Sequence, residues 1–170
     1  PYVLGGCSLI SYHATNDFES VVHSIFEKNF NAWARPEIEF VKSGVDCSSL
    51  ILRAAQAVGI KYFFKNTTTL CFYLKDVFDN NIKNGDLIWY PGHVMIVSDV
   101  ANNKIIEAVH YDKGYGIIHE IPLNKVFKNI QTFKHLLDIC KSKSPLFRLD
   151  KNGNEFTKVS QIRCLQLLYN

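Results

Sequence analysis

The chain has 170 residues, of which 47% are hydrophobic and 21% charged, enough apolar material for one compact domain with a real core and too much for a disordered or fibrous segment. Its net charge of +3 is modest and the lysines are scattered, which argues against a nucleic-acid-binding surface while leaving an anionic polymer possible as a partner. The 5 cysteines (Cys7, Cys47, Cys71, Cys140 and Cys164) form no C-x-x-C pair, so neither a structural zinc site nor a complete disulfide framework is indicated, and at least one thiol should be free.

No signal-peptide pattern is visible from Pro1 onward, so such a segment is read as absent or removed. No run approaches the roughly 18 to 20 apolar residues of a membrane-spanning helix, so the chain reads as soluble, with no membrane-spanning segment. Asn16 can cap a helix with Glu19 at its third position, and Phe18, Val21, Val22, Ile25 and Phe26 make one apolar face. Residues 31–44 carry Pro36 and Gly44 without a clear period and read as loop. A helix over about 47–58 follows, with Leu50, Ile51, Ala54, Ala55 and Val58 apolar and Gly59 at its end. Residues 67–78 predict another helix, capped by a threonine and carrying Leu70, Cys71, Leu74, Val77 and Phe78.

After Asn84-Gly85-Asp86 the pattern becomes β-rich. Strands are expected over 87–90, 94–100, 104–109 and 117–121, with Asn102-Asn103 suited to a tight hairpin turn. Segments 146–149 and 155–159 flank a turn at 150–154, whose glycine comes too early for a calcium loop, and 162–168 reads as a last strand. The C-terminal strands are expected to join the same sheet. Helices followed by an antiparallel meander predict an α+β fold, with N-terminal helices packed on a central antiparallel sheet.

The chemistry centres on Cys47. A cysteine that opens a helix feels the partial positive charge of unpaired backbone N–H groups, which favours thiolate. A nucleophilic thiol also needs a base within about 2.6 to 3.2 Å and a group that orients that base. His93 stands at a strand entrance after Pro91-Gly92, where its imidazole can take the thiol proton and return it to a leaving amine. Glu107 interrupts an apolar strand across the hairpin and can hold the imidazole tautomer. It reads equally well as a surface carboxylate on an edge strand. His110 is a rival for the third role, although strand alternation sets it on the opposite face from Glu107. Cys47 as a small buried hydrophobe and Asp46 as a simple N-cap are the plainer readings of those two. His13, His23, His119 and His135 read as ordinary surface or half-buried residues, and Phe63, Phe64, Phe72 and Tyr73 as core or pocket wall.

Taken in order, the D-C-S-S-L run at Asp46, G-D-L-I at Gly85, G-H-V-M-I-V at Gly92, I-I-E-A from Ile105-Ile106 to Ala108 and P-Y-V-L-G-G at Pro1 resemble the NlpC-type cell-wall cysteine peptidases, a papain-like family. The resemblance covers about residues 1–6 and 45–121. It implies a single papain-like domain over 1–170, with an insertion at about 7–44 and a C-terminal extension from about 131. It further implies hydrolysis of amide bonds in peptidoglycan stem peptides or muropeptides, often between D-glutamate and a diamino acid, without metal or organic cofactor. In that scheme Cys47 attacks, His93 is the base and Glu107 fills the third polar position, while Tyr2, Asp46 and Ser48 line the site or bind the substrate's free amine. Ser49 stands where the family usually has glycine, so its hydroxymethyl group is expected in the packing or the substrate pocket. The resemblance implies a periplasmic, cell-envelope or secreted setting. Alternatives are a CHAP-like amidase cutting the glycan-to-peptide bond, acyl transfer on a related scaffold, and a catalytically silent domain that binds a wall fragment or a protein. Oligomeric state is not legible.

Overall fold

The computed structural model describes residues 7–8, 44–60, 66–77, 81–109 and 117–166. The expected helix around Phe18 to Phe26, Tyr2, Phe63, Phe64 and His110 lie outside the described residues.

The first described elements are two short strands, β1 (Cys7–Ser8) and β2 (Gly44–Val45), paired antiparallel with Cys7 opposite Val45. The pairing sets residue 7 beside the start of the next helix. Helix α1 (Cys47–Ala57) begins because Asp46 is an effective N-cap: its Oδ1 accepts the Ser49 N–H at 2.7 Å and the Ser48 hydroxyl at 3.1 Å. It ends in a Schellman-type closure, with Gly59 at φ +87 donating to the Gln56 carbonyl and Ile60 N–H reaching the Ala55 carbonyl, each at 3.0 Å. The buried stripe is Cys47, Ser48, Ser49, Ile51 and Ala55. It is rotated from the expected face, and Val58 is 75% exposed past the helix end.

Helix α2 (Thr67–Tyr73) is shorter than expected and is capped by Asn66 rather than by threonine, since Asn66 Oδ1 takes the Thr69 N–H at 2.8 Å. The chain then turns extended, and Asp76 forms an isolated bridge with Leu165. Phe72 and Tyr73, expected in core or pocket wall, are 78% and 56% exposed, because the inward side of this helix is Leu70, which is buried, with Cys71 partly buried beside it.

The central sheet has 5 strands in the order β6-β5-β4-β3-β9, all antiparallel. They are β3 (Leu87–Tyr90), β4 (His93–Asp99), β5 (Lys104–Val109), β6 (Ile117–Pro122) and β9 (Arg163–Leu165). The expected meander is therefore present. Alternation splits its side chains between two cores. On one face Leu87, Trp89, Val94 and Leu165 pack with Cys47 and Ile51 of α1 and with Leu70 and Leu74. The Trp89 indole N–H, bonded to the Thr67 carbonyl at 2.8 Å, ties α2 to that face.

The other face, with Ile88, Met95, Val97, Ile105 and Cys164, is covered by the C-terminal part of the chain. That cover includes α3 (Leu123–Val126), α4 (Phe133–Ser142), β7 (Leu146–Leu149) and β8 (Glu155–Val159), which contribute Leu123, Val126, Phe133, Leu136, Leu137, Leu146 and Val159. Only β9 joins the central sheet as expected. β7 and β8 pair with each other as a separate hairpin, a correction to the expectation that all C-terminal strands extend one sheet. Their apolar residues are used to close the second core instead. Helix α4, which was not expected, is capped by Thr132 and carries Phe133, Leu136 and Leu137 at helical spacing.

Candidate active site

The turn at Pro91-Gly92 fixes where β4 begins. Pro91 presets its own φ, Gly92 takes φ +85, and Tyr90 pairs directly with His93 across the two-residue loop. His93 is therefore the first side chain of β4, with 14% of it exposed. Val94, next along the strand, points to the opposite face and packs with Cys47 and Ile51.

Cys47 sits at the start of α1 with only 7% exposure. The backbone N–H groups of Val94, Ser48 and Cys47 itself lie against its sulfur. Those donors favour thiolate, as expected of a helix start, yet the thiol is pushed up to about 11. Burial is the larger effect, and the Asp46 charge adds to it. The expectation of a lowered thiol pKa is thus corrected: burial holds the Cys47 thiol above the ordinary cysteine value.

Glu107 is wholly buried, which removes the surface-carboxylate reading. The β4–β5 ladder pairs Ile96 with Ile106, so Glu107 lies one step further on, on the His93 face and diagonal to it. Its Oε2 meets His93 Nε2 at 2.9 Å, and its Oε1 meets Nε2 of His119 at 3.1 Å. His119 is its direct partner across β5 and β6. Nη2 of Arg148, on β7, lies 2.6 Å from both carboxylate oxygens, while Nη1 points at Met95 Sδ at 3.3 Å. Burial alone would push the Glu107 carboxyl up, but the Arg148 charge and the bonds from His119 and His93 outweigh it and hold it well below the usual carboxylate range.

Burial lowers the pKa of His93; the Glu107 bond and charge oppose this, and Arg148 offsets part of that opposition, leaving the pKa below that of a free imidazole. The Glu107 carboxylate therefore does not make His93 more basic than a free imidazole. With Nε2 committed to Glu107, Nδ1 is the nitrogen left for proton exchange. The Tyr90 ring sits 5.3 Å from the imidazole, centroid to centroid, and burial pushes its hydroxyl up to about 12.

Thus the fold joins His93 to Glu107 and sets Cys47 against the peptide group that follows His93. Asp46 and Ser48 are in the N-terminal turn of α1, bonded to each other. Ser49 is completely buried, so its hydroxymethyl group meets packed protein. Sequence reasoning missed three neighbours: Arg148, His119 and Tyr90. His119 was legible in principle, since β5–β6 pairing sets it opposite Glu107. Among the described residues no group of His, Cys, Asp and Glu side chains is arranged to hold a metal ion.

The NlpC/P60 family model matches residues 1–122. The chain belongs to the NlpC/P60 family. The α+β architecture with its central five-stranded antiparallel sheet is the papain-like fold of that family. NlpC/P60 proteins are generally cysteine hydrolases that act on peptidoglycan, commonly outside the cytoplasm. No helix among the described residues is long and apolar enough to cross a membrane. No curated protein matches the chain. The match ends at Pro122, so the cover built by α3, α4 and the β7–β8 hairpin, Arg148 included, lies beyond it.

Proposed function

We propose that this NlpC/P60 protein is a cysteine peptidase that hydrolyses amide bonds in peptidoglycan stem peptides, of the γ-D-glutamyl-diamino acid type, through Cys47, His93 and Glu107. The observation that supports the reading is a helix-start cysteine packed against Val94, the residue that follows a histidine whose Nε2 is held by a buried carboxylate. His93 Nδ1 takes the Cys47 proton as the sulfur bonds to the scissile carbonyl carbon. The N–H groups of the helix start are aimed at the oxygen on which charge develops. The C–N bond then breaks as Nδ1 returns the proton to the leaving amine, and water, deprotonated by the same imidazole, releases the acid and restores the thiol. Because both resting groups are neutral, proton transfer accompanies attack; catalytic hydrogen bonds of this kind tighten in the substrate complex. Tyr2, Asp46 and Ser48 are assigned to the substrate side of the site, in a cell-envelope or secreted setting, while the buried Ser49 is left to packing.

The test is mass spectrometry of purified muropeptides incubated with wild-type protein and with Cys47→Ala. Loss of the D-glutamyl-diamino acid link with wild type alone supports the proposal. Release of intact stem peptide from muramic acid would instead identify a CHAP-like amidase, a reading favoured by the carboxylate in the third position. Absence of any cysteine-dependent product would favour the silent binding domain, to which the buried neutral thiol of Cys47 is the specific pointer.

A further inference from the structure

Two buried side chains from opposite ends of the fold's second half meet beside His93. Glu107 comes from the central sheet, and Arg148 comes from the β7–β8 hairpin beyond the family-matched residues, 41 positions further along the chain. Both are buried, at 0% and 1% exposure. An ion pair in such a place is a poor source of stability, because desolvating two charges offsets most of their attraction. Its geometry points to another use. One guanidinium nitrogen spans both carboxylate oxygens at 2.6 Å, leaving the imidazoles of His93 and His119 on the remaining directions of the same carboxylate.

Arg148 itself is held from several sides. Its guanidinium lies over the Phe127 ring, 5.6 Å from the centroid, and its backbone bridges to Phe127. Leu146 and Val159, paired at the open end of the hairpin, are both in the core. The groups that face this cluster are Tyr90 on β3, His93 on β4, Glu107 on β5, His119 on β6 and Arg148 on β7, with the Cys47 thiol beyond Tyr90.

We propose that Arg148 is a positioning residue of the site: it fixes the Glu107 carboxylate against His93 and cancels its charge, so that the imidazole is oriented by an electrically neutral pair. The C-terminal cover is then part of the site's machinery. This rests on the reading of Cys47 and His93 as nucleophile and base. Without Arg148 the Glu107 charge acts on His93 unopposed and stabilises imidazolium, which cannot accept the thiol proton.

The test follows the His93 ring by NMR across pH, its signal assigned by its loss in His93→Gln, together with muropeptide hydrolysis. In Arg148→Met the His93 midpoint rises by about one pH unit or more, and hydrolysis at neutral pH falls by about tenfold or more. Arg148→Lys, which keeps the charge but not the span across both oxygens, returns the midpoint to the wild-type value and restores hydrolysis only in part. Wild-type midpoints and rates in both variants would overturn the proposal and leave Arg148 a packing residue. Should Arg148→Met fail to fold, the neutral double variant Arg148→Met/Glu107→Gln decides. Its His93 midpoint stays within about half a unit of wild type if the pair acts as a neutral acceptor, and a displacement of about a unit or more overturns that role. The titration needs no turnover, so an inert wild type would sink the hydrolase reading while the Arg148 effect on His93 is still measured.

Discussion

The Cys47 sulfur rests against the backbone N–H of Val94, the peptide group that joins His93 to the rest of β4. Nucleophile and base candidates are thus registered through the main chain. The same closeness buries the sulfur, and burial outweighs the donors. With the thiol pushed up to about 11, the thiolate fraction at pH 8 is about one in a thousand. Iodoacetamide labelling of the Cys47 peptide, read by mass spectrometry, should therefore rise about tenfold per pH unit from 7 to 10, in proportion to thiolate. A plateau beginning near neutral pH would show an ion-paired thiolate and contradict this account.

Asp46 has two opposed effects on its neighbour. It caps α1 through the Ser49 N–H, and its charge helps raise the Cys47 thiol. Asp46→Asn keeps a competent cap and removes the charge. It should unfold within about 0.5 kcal/mol of wild type while Cys47 labels faster at fixed pH. Asp46→Ala loses the cap as well and should cost about 1 kcal/mol, read from urea midpoints. Equal labelling rates in wild type and Asp46→Asn would show that the charge does not reach the sulfur.

The positions of the central candidates were legible in the sequence because these residues sit on elements with strong local signals. Cys47 follows an N-cap, His93 follows Pro91-Gly92, and Glu107 breaks an apolar strand. Arg148 was not legible. It sits in Leu146-Phe147-Arg148-Leu149, where Phe147 is 37% exposed and the arginine buried, the reverse of what hydropathy assigns. Only the partner on β5 explains that inversion, and strand pairing across unconnected segments leaves no trace in local pattern. Helix α4 is a different case. Thr132 followed by Phe133, Leu136 and Leu137 does carry a helical signature, obscured by the charged residues between the apolar ones.

Acid should weaken the fold in two stages. The His93 pKa is lowered on folding, so the unfolded chain binds its proton first. Stability from this group is present above about pH 6.5 and is lost as pH falls from there toward the folded value. The Glu107 pKa is also held down on folding, so its share is present above about pH 4.3 and is lost below it as the unfolded carboxylate takes up a proton. Urea midpoints measured from pH 8 to pH 3.5 should show both limbs. His93→Gln should remove the upper one. Glu107→Gln should flatten the lower one while costing about 3 to 5 kcal/mol at pH 7, since Arg148 is then buried opposite a neutral amide. A wild-type profile that is level from pH 7 to pH 4 would contradict the His93 assignment, and one that stays level from about pH 4.3 to pH 3.5 would contradict that of Glu107.

Asn103 links the sheet to the cover that carries Arg148. At the end of the β4–β5 turn it adopts φ 53, where a side chain with a Cβ is strained but asparagine is tolerated. Its carbonyl accepts the Leu123 N–H at 2.9 Å and its Oδ1 accepts the Phe133 N–H at 2.9 Å, so one turn residue anchors the starts of both α3 and α4. Asn103→Gly relieves the backbone and loses only the side-chain bond, with an expected cost of about 1 kcal/mol. Asn103→Ala loses that bond and keeps the strain, and should cost about 2 to 3 kcal/mol. The order of the two variants in thermal denaturation is the check. If alanine were as stable as glycine, the left-handed turn would not be a constraint, and the docking of α4 would rest on its apolar face alone.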